Sequence, residues 1–125
     1  MIRNLVQRVR GALRDVGIGH KRSSKWPAVA RVFLELHQTC AACGSATRLQ
    51  VHHKLPFHLH PSLELDYDNL VVLCMGRNAC HLLIGHGDDF KAFTPNLDGM
   101  LGNLFARKLT LPAARLLALA SRVYR

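Results

Sequence analysis

Residues 40–54 read Cys40-Ala-Ala-Cys43-Gly44-Ser-Ala-Thr-Arg48-Leu49-Gln50-Val51-His52-His53-Lys54, and the fold turns on this stretch. Two thiols at CxxC spacing, in a tight turn relaxed by the glycine that follows, can both reach one tetrahedral ion at ~2.3 Å. After the knuckle, Arg48–His53 alternates Leu49 and Val51 against Gln50 and His52, the period-2 pattern of a short strand. Adjacent strand residues point to opposite faces, so His52 and His53 do not comfortably ligate one ion. One is free to hold a metal while the other takes a proton, and neutral imidazole serves both tasks near pH 7. Further out, a second pair, Cys74 and Cys80, brackets Met-Gly-Arg-Asn-Ala, a wider spacing than the first. Cys40, Cys43, Cys74 and Cys80 are together expected to form one structural Zn2+ site. Disulfides compete for the same residues but need an oxidising compartment. The first residues lack the apolar run and small-residue cleavage site of a secretory signal, so a cytoplasmic setting is expected.

The flanking segments predict a small α+β chain. A helix starts near Ser24 with Pro27 in its first turn, buries Trp26, Val29, Val32, Phe33 and Leu36, and ends near His37–Thr39. Lys54–Asp68, with two prolines and several polar residues, predicts a long tethered loop. Leu70–Leu73 predicts a second short strand. Ala79–Ile84 predicts one or two helical turns stopped by Gly85, and Thr94–Gly99 a turn-rich connector. Thr110-Leu-Pro112 opens a final helix carrying Leu116, Leu117, Leu119 and Val123. At the other end, Ile2, Leu5, Val6, Val9, Leu13 and Val16 fall at helical spacing, a basic amphipathic helix followed by a linker.

The chain has 125 residues, 49% of them apolar, with a net charge of +9. That composition excludes disorder and a membrane span, and an aromatic content of 6% argues against a stacking platform for single strands. The charge favours a polyanion. Residues 1–39 carry eight positive and two negative charges, residues 40–98 four and six, and residues 99–125 five and none. Six of the eight histidines and all four cysteines lie in the slightly acidic middle. The charge reads as two basic arms gripping phosphates outside a Cys/His centre.

Between and after the cysteines the sequence runs His52-His53, Pro56-Phe57-His58, Pro61, Glu64-Leu65-Asp66, Asp68-Asn69-Leu70, Leu73-Cys74, Cys80-His81 and Gly85-His86. In this order and company the pattern resembles the HNH endonucleases, the ββα-metal nuclease family, and among them the compact zinc-bound proteins of bacteria and phages. The resemblance covers residues 23–98. It implies a ββα-metal core stapled by the four-cysteine zinc site; the basic N-terminal helix and linker at 1–22 and the basic helical extension at 99–125 are read from their own residues. It also implies a metal-dependent DNA endonuclease. His52 and His81 would hold the catalytic divalent ion (Mg2+, Mn2+, Ni2+ or Zn2+), His53 would be the general base, and Asn69 would pin the loop that aims it. The family often places a further ligand where Gly85 stands. His86, one residue later, lies ~140° round an α-helix from His81 and ligates only if the helix ends at Gly85 and the chain turns back. His58 and His60 read as loop or phosphate-contacting residues, Asp66 and Asp68 as turn residues or acceptors behind the ligands, and Lys54 as solvated or bound to phosphate. The implied partner is double-stranded DNA, without a small-molecule cofactor or a membrane. Two other readings use the same residues: a zinc-stapled nucleic-acid-binding module without catalysis, and a membrane-surface or partner-binding protein using the basic helices.

Overall fold

The computed structural model describes residues 21–125. The amphipathic helix expected at 2–16 and most of the linker after it lie outside the described residues. In order come helix α1 (Trp26–Leu36), strand β1 (Leu49–His53) and strand β2 (Leu70–Cys74), then a helical turn at His81–Gly85 and strand β3 (Ala92–Phe93). Helix α2 (Leu97–Phe105), helix α3 (Leu111–Ser121) and strand β4 (Val123–Tyr124) complete the chain. The centre is a β-hairpin with a helical turn against it and four clustered cysteines, a small α+β fold of the ββα-metal kind.

β1 and β2 pair antiparallel, with Val51 opposite Val72, His52 opposite Val71 and His53 opposite Leu70. Strand alternation then sorts the hairpin into two faces. Leu49, Val51, Leu70 and Val72 pack with Trp26, Val29 and Phe33 of α1. His53 joins that face, its ring centroid 4.4 Å from that of Trp26. Gln50, His52 and Leu73 meet the helical turn instead. The one-residue offset between His52 and His53 thus sends two identical side chains into different surroundings.

Pro27 sits in the first turn of α1, and Ser23 Oγ accepts from the Lys25 amide just before it. Of the expected inner stripe, Phe33 is buried and Trp26 and Val29 are partly covered. Val32 and Leu36 face solvent, Leu36 at 65% exposure. A hairpin two strands wide covers only one ridge of the helix.

The second core gathers Cys40, Leu73, Cys74, Cys80 and Ile84 with Leu97, Met100 and Leu101 of α2 and Ala114 and Ala118 of α3. α2 begins at Leu97, inside the stretch expected as a connector, behind Asn96 in a left-handed conformation at φ +53°. Thr110 caps α3, its Oγ1 accepting from the Ala113 amide. Leu116, Leu117 and Leu119 of α3 point outward, Leu116 at 68% exposure, while Ala114 and Ala118 point inward. Small side chains bring the helix backbone against Gly87, whose φ is +59°. A Cβ at Gly87 would lie 2.7 Å from the Ala118 carbonyl oxygen. Gly87→Ala combines a left-handed backbone with a backbone collision and is expected to lower stability by about 2–3 kcal/mol. The check is a lower urea midpoint at unchanged m-value.

Val123, expected within the last helix, lies in β4. Arg122 is extended at ψ 143°, which ends the helix, and the β-branched and aromatic residues after it suit a strand. β4 pairs antiparallel with β3, Ala92 opposite Tyr124 and Phe93 opposite Val123. The C-terminal segment therefore returns to the middle of the chain. No helix among the described residues is long and apolar enough to cross a membrane.

Candidate metal centre

Cys40, Cys43, Cys74 and Cys80 bring their sulfurs within 4.8 Å of one another, and the Cys43 and Cys74 Sγ atoms are 3.6 Å apart. Two sulfurs on one tetrahedral ion are ~3.8 Å apart, against ~2.05 Å in a disulfide; the geometry is that of a shared cation, and the four thiols are free. Gly44, at φ +77°, closes the knuckle by donating its amide to the Cys40 carbonyl. The wide second spacing is taken up by a turn in which the Ala79 amide bonds the Gly76 carbonyl. Cys74 ends β2 and Cys80 directly precedes the helical turn, so the site ties three segments together. A hydrogen bond with Cys80 holds Cys40 down and pushes Cys80 up, while burial raises Cys74. Only a cation lets four crowded thiols ionise together. The cluster can hold a metal, and four protein donors leave it no open position.

His52, His81 and His86 form a second cluster, with one ring nitrogen from each also within 4.8 Å of the others. The helical turn explains how His86 arrives. Its amide bonds the His81 carbonyl at 3.1 Å, a π-type i→i+5 bond, besides the Leu82 carbonyl at 3.3 Å. Widening the turn by one residue brings i+5 onto the face that i+4 occupies in an α-helix. The turn ends at Gly85, as expected, and a Cβ there would come 3.1 Å from His52 Cε1. Glycine is what lets the turn close over the His52 ring.

The tautomers follow from the neighbours. Gln50 Oε1 accepts from His81 Nδ1 at 2.7 Å, and the Ala92 carbonyl accepts from His86 Nδ1 at 2.7 Å. In both rings the hydrogen is therefore on Nδ1 and the lone pair on Nε2. These Nε2 atoms face each other at 3.2 Å. His52, at 1% exposure, has no partner for either ring nitrogen. Burial, reinforced by the neighbouring imidazoles, holds His52 well below the usual range and His81 at about 4; burial likewise lowers His86. Neutral rings with lone pairs converging and a buried nitrogen unbonded fit a divalent ion, since two imidazole nitrogens on one tetrahedral ion are ~3.3 Å apart. Three protein donors leave such an ion an open position.

His53 is held differently. The Glu64 carbonyl accepts from its Nε2 at 2.9 Å, which leaves the Nδ1 lone pair unused by that bond. Burial lowers its pKa, with the charges of Arg22 and Arg125 adding to the effect. Asn69 fixes the loop that supplies the carbonyl: its Oδ1 accepts from the Leu55 amide at 2.9 Å, and its Nδ2 donates to the carbonyls of Leu55 and Leu63 at 3.1 and 3.3 Å.

Other residues fall outside these clusters. Lys54, expected as solvated or bound to phosphate, is engaged within the chain, its Nζ pairing with Asp98 at 2.9 Å and donating to the Asp68 carbonyl. Asp66 Oδ1 accepts from the Asp68 amide, a turn role. His58 is exposed on the loop and His60 partly so. Several participants went unread in the sequence. Gln50 orients His81, and its place two residues before His52 on one strand face was the available signal. Glu64 accepts from the Ser23 amide at 3.0 Å and pairs with Arg22 at 3.5 Å. Arg22 also lies over the rings of Trp26 and Phe57. Arg125, at the end of β4, places Nη2 3.2 Å from His86 Nδ1. Two arginines of the basic arms thus reach the centre rather than gripping only outside it.

No curated protein and no solved structure matches the chain. The family model described as HNH endonuclease matches residues 40–87. That span opens on Cys40 and closes just after His86, so it contains the hairpin, the helical turn and both metal-competent clusters. Residues 40–87 are thus what in this chain is similar to HNH endonucleases.

Proposed function

We propose that this protein is a metal-dependent endonuclease that hydrolyses phosphodiester bonds in double-stranded DNA, with Zn2+ at the four cysteines and a divalent ion at His52, His81 and His86. The observation that carries the reading is the convergence of three neutral imidazoles, two with Nε2 atoms 3.2 Å apart and the third buried without a partner. His52, His81 and His86 would hold the divalent ion, which would supply Lewis-acid charge to the reacting phosphodiester. Imidazole donors suit Mn2+, Ni2+ or Zn2+; Mg2+ would rely more on water and phosphate oxygens. His53 accepts a proton at Nδ1 from a water that attacks phosphorus in line. The P–O3′ bond breaks and the leaving 3′ oxygen takes a proton from solvent water, giving a 5′ phosphate and a 3′ hydroxyl. Asn69 acts through the loop, holding the Glu64 carbonyl where it orients His53. Free thiols gathered as a metal site suit a reducing, cytoplasmic setting.

Plasmid nicking tests the reading. Cleavage should stop when a chelator strips the histidine site while leaving the cysteine-bound ion, and should return on adding Mn2+ or Ni2+. His86→Ala should lower the rate by about 100-fold or more while retaining one ion per chain, since it removes a proposed ligand. Undiminished cleavage by His86→Ala, or cleavage that ignores the chelator, would remove the metal assignment.

A further inference from the structure

We infer that Arg125 is a substrate-contacting residue of this site, its guanidinium gripping a phosphodiester oxygen of nucleic acid laid across the histidine cluster; this rests on the phosphodiester reading above. Arg125 Nη2 is 3.2 Å from His86 Nδ1 and 3.5 Å from Nε2. Neither nitrogen is available as an acceptor. The Nδ1 hydrogen goes to the Ala92 carbonyl, and the Nε2 lone pair is directed at His81. The contact therefore satisfies none of the five N–H donors of the guanidinium. Among the described residues no carboxylate lies within 4 Å of it, and the nearby buried acid, Glu64, is engaged by Arg22 and the Ser23 amide.

The guanidinium is left without an anion, yet the fold is built to put it there. The Arg125 amide donates to the Lys91 carbonyl at 2.8 Å, extending the β3–β4 pairing. Arg122 Nη1 bonds the Gly87 carbonyl at 3.0 Å and ties the approach to β4 to the end of the helical turn. The side chain is exposed overall and lines a cleft of about 490 Å³ with His58, Leu59, Phe90 and Lys91, none of them acidic. A phosphodiester oxygen supplies the missing negative charge and accepts the fork of donors. Arg125 lies outside residues 40–87, so the C-terminal segment would complete the site that those residues begin.

The test compares full-length wild type, Arg125→Gln and Arg125→Lys. Binding of a short DNA duplex is measured across a salt series without added divalent ion, and cleavage is measured with Mn2+. Arg125→Gln should reduce the slope of log K against log salt by about 1 and lower kcat/KM by about 10- to 100-fold. Arg125→Lys should recover the slope and part of the rate, because it keeps the charge and loses the fork. Metal content and unfolding midpoint should match wild type in both. An unchanged slope with unchanged cleavage would overturn the proposal, as would loss of metal or fold in both variants, which would make Arg125 a structural pin. If wild type cuts no DNA with any ion while Arg125→Gln still loses its unit of slope, the phosphate contact stands and the hydrolytic reading fails.

Discussion

Cys40→Ser is expected to remove the metal from the cysteine site and unfold the domain, the largest stability loss anticipated in this chain. The side chain is 3% exposed and belongs to the same core as Leu73, Ile84, Met100 and Ala118. Its backbone is committed as well, the amide to the Ser45 carbonyl and the carbonyl to the Gly44 amide. A serine oxygen is a poor substitute for a thiolate, and three sulfurs would be left crowded in a core with no cation to relieve them. A structural zinc site contributes ~10–16 kcal/mol in small zinc-finger peptides, while a whole domain is stable by about 5–15 kcal/mol. Losing half of the metal's contribution, about 5–8 kcal/mol, is comparable to the whole stability of a small domain. Because Cys80 directly precedes His81, the loss should spread to the histidine cluster. Metal analysis should show less than one tightly held ion per chain, and the cooperative thermal transition should vanish. A Cys40→Ser protein that melts cooperatively near the wild-type temperature would show that the knuckle is not the staple.

What could be read from the sequence was mostly local. CxxC-Gly, the alternation up to His52-His53 and the proline-led start of α1 each depend on neighbours a few residues away, and each lies where expected. The helical turn was not legible, because counting five residues from His81 to His86 gives the wrong face on an α-helix. Its winding is set by contacts from further along the chain: the Ala92 carbonyl takes the His86 hydrogen, and Thr94 Oγ1 donates to the Ile84 carbonyl. Lys54 was open between solvent and phosphate because its partner, Asp98, is 44 positions away. The outward leucines of α3 show periodicity overruled by shape, since only alanine lets a helix approach Gly87 so closely. Arg125 illustrates the same limit for function. Charge counting put it in an arm, and only the two-residue pairing of β3 with β4 carries it to His86.

His53→Ala is expected to slow cleavage by about 10²- to 10⁴-fold, the range for loss of a general base, while DNA binding changes by less than about twofold. The two effects separate because His53 shares a strand with His52 but not its surroundings. His52, His81 and His86 remain in place in the variant, so an ion held there should stay, and the basic residues proposed to meet phosphate are untouched. What disappears is an imidazole whose Nε2–H is committed to the Glu64 carbonyl, whose ring lies against Trp26, and whose burial keeps it neutral and able to accept a proton. Asn69 supplies an internal control. Asn69→Ala removes three hydrogen bonds that hold the loop, so it should slow cleavage by misaiming His53 rather than by removing chemistry. If the two residues act as one unit, the double variant should be no slower than His53→Ala alone, a non-additivity that independent roles would not produce. Metal content should stay at the wild-type value throughout, which separates a lost base from a lost ion. Equal cleavage by wild type and His53→Ala would transfer the base to another group, and a double variant with multiplied losses would give Asn69 a role of its own.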